Sequence, residues 1–143
     1  QVVLSGLVEN LNLISNELKN RNIKFIRLPV SSPFHCPLMS SATTEMRQKI
    51  IDTSFKDPKL DIVSNVTAHP MNKPDEIKKL LIEQIEKPVR WRESVSKMIS
   101  FNVDHFIEIG PGKVLSGLVK RIDSNIKLNQ INTLADIKIL NND

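Results

Sequence analysis

Apolar residues recur along this chain with two periods, about 3.6 and 2, and the switches between them mark out the predicted elements. Val2–Leu4 is a short apolar run that Ser5-Gly6 breaks. From Leu7, the residues Leu7, Val8, Leu11, Leu13, Ile14 and Leu18 fall at helical spacing to about Asn20. Asn22 follows where a left-handed residue can end a helix. Ile23–Leu28 reads as a strand, with Ile23, Phe25 and Arg27 on one side. The predicted strand–helix–strand is the remnant of a small α/β unit.

Prolines then interrupt the pattern at positions 29, 33 and 37. Pro33 forces Ser32 into an extended conformation, and Pro37 suits the first turn of a helix. That helix is predicted to about Asp52, with Leu38, Met39, Ala42, Met46 and Ile50 inward. Leu60–Ser64 is a candidate for a short buried strand, with a polar loop from there to Lys73. Pro74 can open a helix, and Asp75 and Glu76 complement its positive end. Ile77, Leu80, Leu81 and Ile85 carry that helix to about Glu86, and Pro88 stops it. A helix from Trp91 to Phe101, a strand over Val103–Ile109 and a turn at Gly110-Pro111-Gly112 come next. A helix over Val114–Ile122, a strand over Ile126–Ile131 and a last helix from Thr133 to about Leu140 complete the chain. Helices and strands alternate throughout, which predicts an α/β fold with parallel pairing.

Composition narrows this only a little. The chain has 143 residues, and its hydrophobic fraction of 40% and charged fraction of 25% are those of a globular domain. Five Phe, one Trp and no Tyr leave the core to Ile, Leu and Val. The single cysteine, Cys36, excludes an internal disulfide and fits a reducing compartment. No apolar run approaches the roughly 20 residues of a membrane-spanning helix. The apolar opening at Gln1-Val2-Val3-Leu4 reads as a truncation or cleavage point, and no targeting segment is legible. The formal charge of +4 favours acidic partners, or is simply that of a mildly basic, Lys-rich surface, which is the preferred reading from charge alone. No basic block interleaved with aromatics points to nucleic acid.

Three segments could carry chemistry. In Ser32-Pro33-Phe34-His35-Cys36-Pro37-Leu38-Met39, a histidine sits on a proline-pinned loop ahead of a helix. An imidazole there can act as general base and then general acid, or it can bond nearby backbone and do no chemistry. Neighbours on an extended chain point apart, so His35 does not activate Cys36, which reads as a small buried residue. His35, His69 and His105 lack the paired spacing of metal ligands, so no metal is expected.

The second segment is Glu83-Gln84-Ile85-Glu86-Lys87-Pro88-Val89-Arg90-Trp91. A helical amide bonds the carbonyl four residues back, and Pro88 has no amide hydrogen, so the Gln84 carbonyl loses that partner. Such a carbonyl can accept from the δ nitrogen of a histidine and set its tautomer, or simply bond water. The third segment is Glu108-Ile109-Gly110-Pro111-Gly112-Lys113-Val114-Leu115. A strand, a glycine turn and a helix N-terminus can bind an anion, or the turn can be structural only.

Together and in this order, these segments resemble the malonyl-CoA:acyl-carrier-protein transacylase family. Pro33-Phe34-His35-Cys36-Pro37-Leu38-Met39 resembles its histidine motif, and Ser64-Asn65-Val66 its following strand-end motif. Lys87-Pro88-Val89-Arg90-Trp91 and Glu108-Ile109-Gly110-Pro111-Gly112-Lys113-Val114-Leu115 are similar to its later elements. The resemblance implies the C-terminal part of an α/β-hydrolase-like acyltransferase subdomain over residues 29–143. Residues 1–28 would be the end of an inserted ferredoxin-like subdomain.

The resemblance further implies ping-pong acyl transfer with His35 as base, oriented by the Gln84 backbone carbonyl. Phe34 and Asn65 would line the substrate site, and Lys113, Lys120 and Arg121 would face the acidic carrier protein. The serine of a Gly-His-Ser-Leu-Gly type elbow, the malonyl-binding arginine and the oxyanion-hole amides would lie upstream. Malonyl-CoA and the phosphopantetheine of acyl carrier protein are then substrates, and no cofactor or metal is implied. Other implied partners are the N-terminal part of the same enzyme, with neither nucleic acid nor membrane, and a monomeric state when complete. The location would be cytoplasmic in a bacterium, or a plastid lumen in an AT-rich eukaryote. Two alternatives stay open: a synthase acyltransferase domain for another extender unit, and a non-catalytic α/β binding fragment.

Overall fold

The structure is a computed structural model that describes residues 2–140. Its contacts divide the chain into two compact units, Gln1–Val89 and Arg90–Asp143. In the first unit, α1 (Val8–Asn20) ends as its sequence predicts. Asn22 adopts a left-handed φ of 55°. Its amide bonds the Lys19 carbonyl, and that of Ile23 bonds Leu18. These paired bonds form a Schellman cap, which satisfies carbonyls that the last turn would leave open. Within the described residues, α1 buries no side chain.

The two flanking strands that periodicity predicts are not there. Val2–Leu4 and Ile23–Leu28 form no ladder among the described residues. Their apolar side chains are open, with Val2 84% and Ile26 87% exposed. β propensity becomes a strand only against a hydrogen-bonding neighbour, and neither segment has one.

Pro37 begins a single 3-10 turn, Pro37–Met39, that feeds α2 (Ser40–Asp52). The inward face of α2 is narrower than predicted: Thr43 is buried, Ala42 and Ile50 are partly so, and Leu38 and Met46 are exposed. The expected buried strand at Leu60–Ser64 shrinks to β1 (Ile62–Val63). The supposed polar loop contains its antiparallel partner, β2 (Pro70–Met71). Pro70 stands at the start of this short strand, where its missing amide disrupts no longer ladder. Then α3 (Pro74–Glu83) turns Ile77, Leu80 and Ile82 inward. Met71, Ile77 and Leu80 form the core here, with Phe55, Val66 and Leu81 packed on it.

In the second unit, α4 (Trp91–Ser100) precedes β3 (His105–Ile109). The helix α5 (Val114–Ile122) connects β3 to β4 (Lys127–Ile131), which lies parallel to it. This is the predicted parallel pairing, because parallel neighbours need such a crossover. The short helix α6 (Leu134–Leu140) follows. Val95, Val119 and Ile126 make the core, with Trp91, Met98, Ile99, Phe106, Ile122 and Leu128 around them.

Val95 is 0% exposed, so its two methyl groups have neighbours on every side. Val95→Ala is expected to destabilise the chain by about 2 kcal/mol, from lost transfer energy plus the cavity left behind. Urea unfolding followed by circular dichroism measures this as a lower midpoint at constant slope.

Candidate functional site

The histidine loop closes against the end of α3. After Glu83 the chain leaves the α-helix in a frayed turn, in which Lys87 bonds back to Glu83 and Ile85 to Ile82. The amide that would next reach the Gln84 carbonyl belongs to Pro88 and does not exist. In its place, His35 Nδ1 lies 2.8 Å from the Gln84 carbonyl oxygen. The His35 amide donates to the adjacent Ile85 carbonyl at 3.2 Å. Two consecutive open carbonyls at the helix end thus hold both the ring and the backbone of one residue.

A carbonyl oxygen can only accept, so the bonded ring nitrogen must carry the hydrogen. Neutral His35 is therefore the Nδ1–H tautomer, and Nε2 keeps its lone pair. Among the described residues Nε2 has no hydrogen-bond partner, and His35 is exposed. A base needs this arrangement: one nitrogen oriented by the protein, the other available to a reacting proton.

The backbone at His35 is unusual as well, with a φ of 62°. For a residue with a Cβ the left-handed region costs about 1–2 kcal/mol. The amide bond to Ile85 and the Pro37 turn offset this cost, and the ring is aimed across at the helix end.

Cys36 is the small buried residue its sequence context predicts. It is free and 9% exposed, and its thiol donates to the Pro33 carbonyl at 3.1 Å. Phe34, beside His35, is 52% exposed. Asn65, expected to line the substrate site, bonds the end of α3. Its side-chain amide donates to Gln84 Oε1 at 3.3 Å, so the residue that orients His35 is itself gripped. The structure therefore brings Phe34, His35, Asn65 and Gln84 together. Sequence reasoning missed the second carbonyl, at Ile85, although the same proline argument applies: a helix stopped at residue 88 leaves it open too.

At the glycine turn, the donors at the start of α5 meet an anion that the chain itself supplies. Glu108 occupies the N-terminus of α5, accepting from the Leu115 amide at 3.1 Å, the Ser116 amide at 2.7 Å and the Ser116 hydroxyl at 2.6 Å. These donors, the Ser116 hydroxyl foremost, lower the Glu108 carboxyl below its ordinary value. Gly110 and Gly112 take φ of 136° and 96°, and the Gly112 amide donates to Asn132 Oδ1 at 2.6 Å. The structural reading of this turn is the correct one.

Lys113 and the pair Lys120 and Arg121 lie at opposite ends of α5, all exposed. Lys120 donates to the Ser124 carbonyl. The other histidines are held locally, His69 Nδ1 against the Thr67 carbonyl at 2.7 Å and His105 Nε2 against Asn129 Oδ1 at 2.7 Å.

Several known proteins similar to this chain in sequence and fold are transacylases. The malonyl CoA-acyl carrier protein transacylase of Bacillus subtilis (strain 168) is 43% identical over 128 residues, 89% of this chain and 40% of its own. The acyl-carrier-protein-S-malonyltransferase of Bartonella henselae superposes with a TM-score of 0.88 at 32% identity, over 94% of this chain and 43% of its own. A malonyl-transacylase solved in complex with a type II PKS acyl-carrier protein gives 0.87 at 31% identity, over 96% and 45%. No family model matches the chain. The chain spans about two-fifths of the length of the curated relatives it matches. By sequence and by α/β fold it is homologous to that part of a malonyl CoA-acyl carrier protein transacylase.

Two outcomes follow from this geometry. Pro88→Ala supplies an amide that competes for the Gln84 carbonyl, so a population of the Nε2–H tautomer should appear in the imidazole ¹⁵N spectrum of His35. For Glu108 the sign is set by its lowered pKa. Its contribution to stability is complete above the ordinary carboxylate range and is lost as pH falls through the lowered value. Glu108→Gln should therefore reduce the urea midpoint near pH 7, and the gap to the parent should close in acid.

Proposed function

We propose that this chain carries the histidine side of a malonyl-CoA:acyl-carrier-protein transacylase site. The observation behind this reading is the 2.8 Å bond from His35 Nδ1 to the Gln84 carbonyl, beside an Nε2 that has no partner among the described residues. In this reading the serine nucleophile, the arginine for the malonyl carboxylate and the oxyanion-hole amides lie upstream of these residues. No Gly-x-Ser-x-Gly elbow occurs in its 143 residues.

In this reading His35 Nε2 takes the serine proton as the serine oxygen attacks the malonyl thioester carbonyl. The carbon–sulfur bond breaks, and the CoA thiolate leaves with the proton from His35. A malonyl-serine ester remains. The pantetheine thiol of acyl carrier protein then gives its proton to His35, attacks the ester carbonyl and takes the malonyl group. The serine oxygen recovers the proton. Throughout, the Gln84 carbonyl holds the ring in one tautomer and stabilises the imidazolium, as a carboxylate does in a Ser-His-Asp triad.

Phe34 lines the malonyl side of the site. Lys113, Lys120 and Arg121 offer positive charge to the carrier protein, with Lys120 already steadied on Ser124. The exposed apolar residues of α1 and of residues 23–28 fit the end of a ferredoxin-like subdomain, divided from the larger subdomain at 28/29 and covered by the rest of the enzyme. The complete enzyme works as a monomer without a cofactor, in the cytoplasm of a bacterium or a plastid lumen. In this reading, transfer needs the serine-bearing part together with this chain.

The test is transfer from malonyl-CoA to holo acyl carrier protein by the complete enzyme. His35→Ala should lower kcat by about 10²–10⁴-fold, the usual contribution of a general base. Transfer at the parent rate would remove the catalytic reading. Preference for methylmalonyl-CoA over malonyl-CoA would favour the synthase-domain alternative instead.

A further inference from the structure

We infer that Asn65 is a positioning residue for the base: it acts through the Gln84 side chain and does not contact the acyl group. The inference rests on the proposed role of His35. The Gln84 amide keeps its helical bond to the Leu80 carbonyl at 3.0 Å, but the Gln84 carbonyl has lost its helical amide at Pro88. The Ile85 amide, on the same peptide unit as that carbonyl, makes only a long bond to Ile82, at 3.3 Å. The direction of this carbonyl decides where the imidazole points. A second hold on Gln84 is therefore worth most at this residue, and Asn65 supplies it by donating to Gln84 Oε1 at 3.3 Å.

Asn65 can do this because its own backbone is fixed on both sides. Ser64 is 3% exposed, and its hydroxyl accepts the Val66 amide at 3.1 Å and the Thr67 amide at 3.4 Å. The Ser64 amide bonds His69, and its carbonyl takes the Ala68 amide at 2.9 Å. Val66 packs on the core formed by Met71, Ile77 and Leu80. The β1–β2 turn is thus anchored to the same core that α3 builds. An asparagine on it holds the end of α3 at a set distance. The arrangement runs from Asn65 on the turn to Gln84 and on to His35, and the Asn65–Gln84 and Gln84–His35 links are each a single hydrogen bond.

A wall residue and a positioning residue separate kinetically. Loss of a substrate contact raises KM, whereas a misdirected base lowers kcat with KM retained. In the complete enzyme, Asn65→Leu is expected to lower kcat about tenfold, about what one hydrogen bond supplies, with KM for malonyl-CoA unchanged. Gln84→Met, which keeps the carbonyl and removes the side-chain acceptor, should do the same and stands in if Asn65→Leu fails to fold. The double variant should be no slower than either single one, because both remove the same bond.

The imidazole ¹⁵N spectrum of His35 should gain Nε2–H tautomer in both variants, a change that a purely structural role would not produce. A rise in KM alone, additive losses in the double variant, or parent-like kcat and tautomer would each overturn the inference. His35→Ala separates the two levels. If it keeps activity, the catalytic reading fails, while the tautomer measurement still tests the hold on the ring.

Discussion

A proline nitrogen without a hydrogen organises this site. Helix α3 would continue its ladder through residue 88 if an amide stood there, and the Gln84 carbonyl would be spent inside the helix. Pro88 leaves that carbonyl open and aimed outward, and His35 takes it at 2.8 Å. The next carbonyl, at Ile85, binds the His35 amide, so the loop is fastened by backbone as well as by side chain. Backbone carbonyls suit this task. They have no rotamers and they do not titrate, so the tautomer they impose on an imidazole does not change with pH.

That interaction was legible in the sequence because it follows from a rule of position: an amide bonds four residues back, and a proline removes it. The caps at Asn22 and Pro37 were legible for the same kind of reason, as was the parallel β3–α5–β4 unit. What was not legible depends on partners distant along the chain. Val2–Leu4 and Ile23–Leu28 have strand composition, yet a strand is a relation between two segments, and periodicity describes only one. Strand β2, the partner of β1, was missed from the opposite side. Two residues on each strand are too few to alternate, and a proline in β2 argues against a strand. Ile82 was left out of the predicted face of α3 but is 6% exposed, because the helix is flanked on more than one side.

The glycine turn shows how a local motif can point to chemistry and still be structural. Strand, glycines and helix N-terminus are the parts of an anion site, and an anion does sit there. It is the carboxylate of Glu108, from the strand that leads into the turn, held by three donors of α5. Motif spacing describes the donors but not whether the chain already carries their acceptor. Here the positive end of the helix joins β3 to α5.

The two helix termini thus divide structure from chemistry by the same logic. At the N-terminus of α5 the open amides find an internal carboxylate, and the charges close on themselves. At the C-terminus of α3 the open carbonyls find an imidazole, which uses one nitrogen to answer them and has a second left over. A carboxylate bound by three donors has little left to offer a substrate, whereas a histidine bound through Nδ1 still has its reactive lone pair at Nε2. A helix end therefore becomes part of an active site when the group that satisfies it has a second functional atom. The left-handed backbone of His35 fits this account: a strained φ of 62° is kept where it aims such a group.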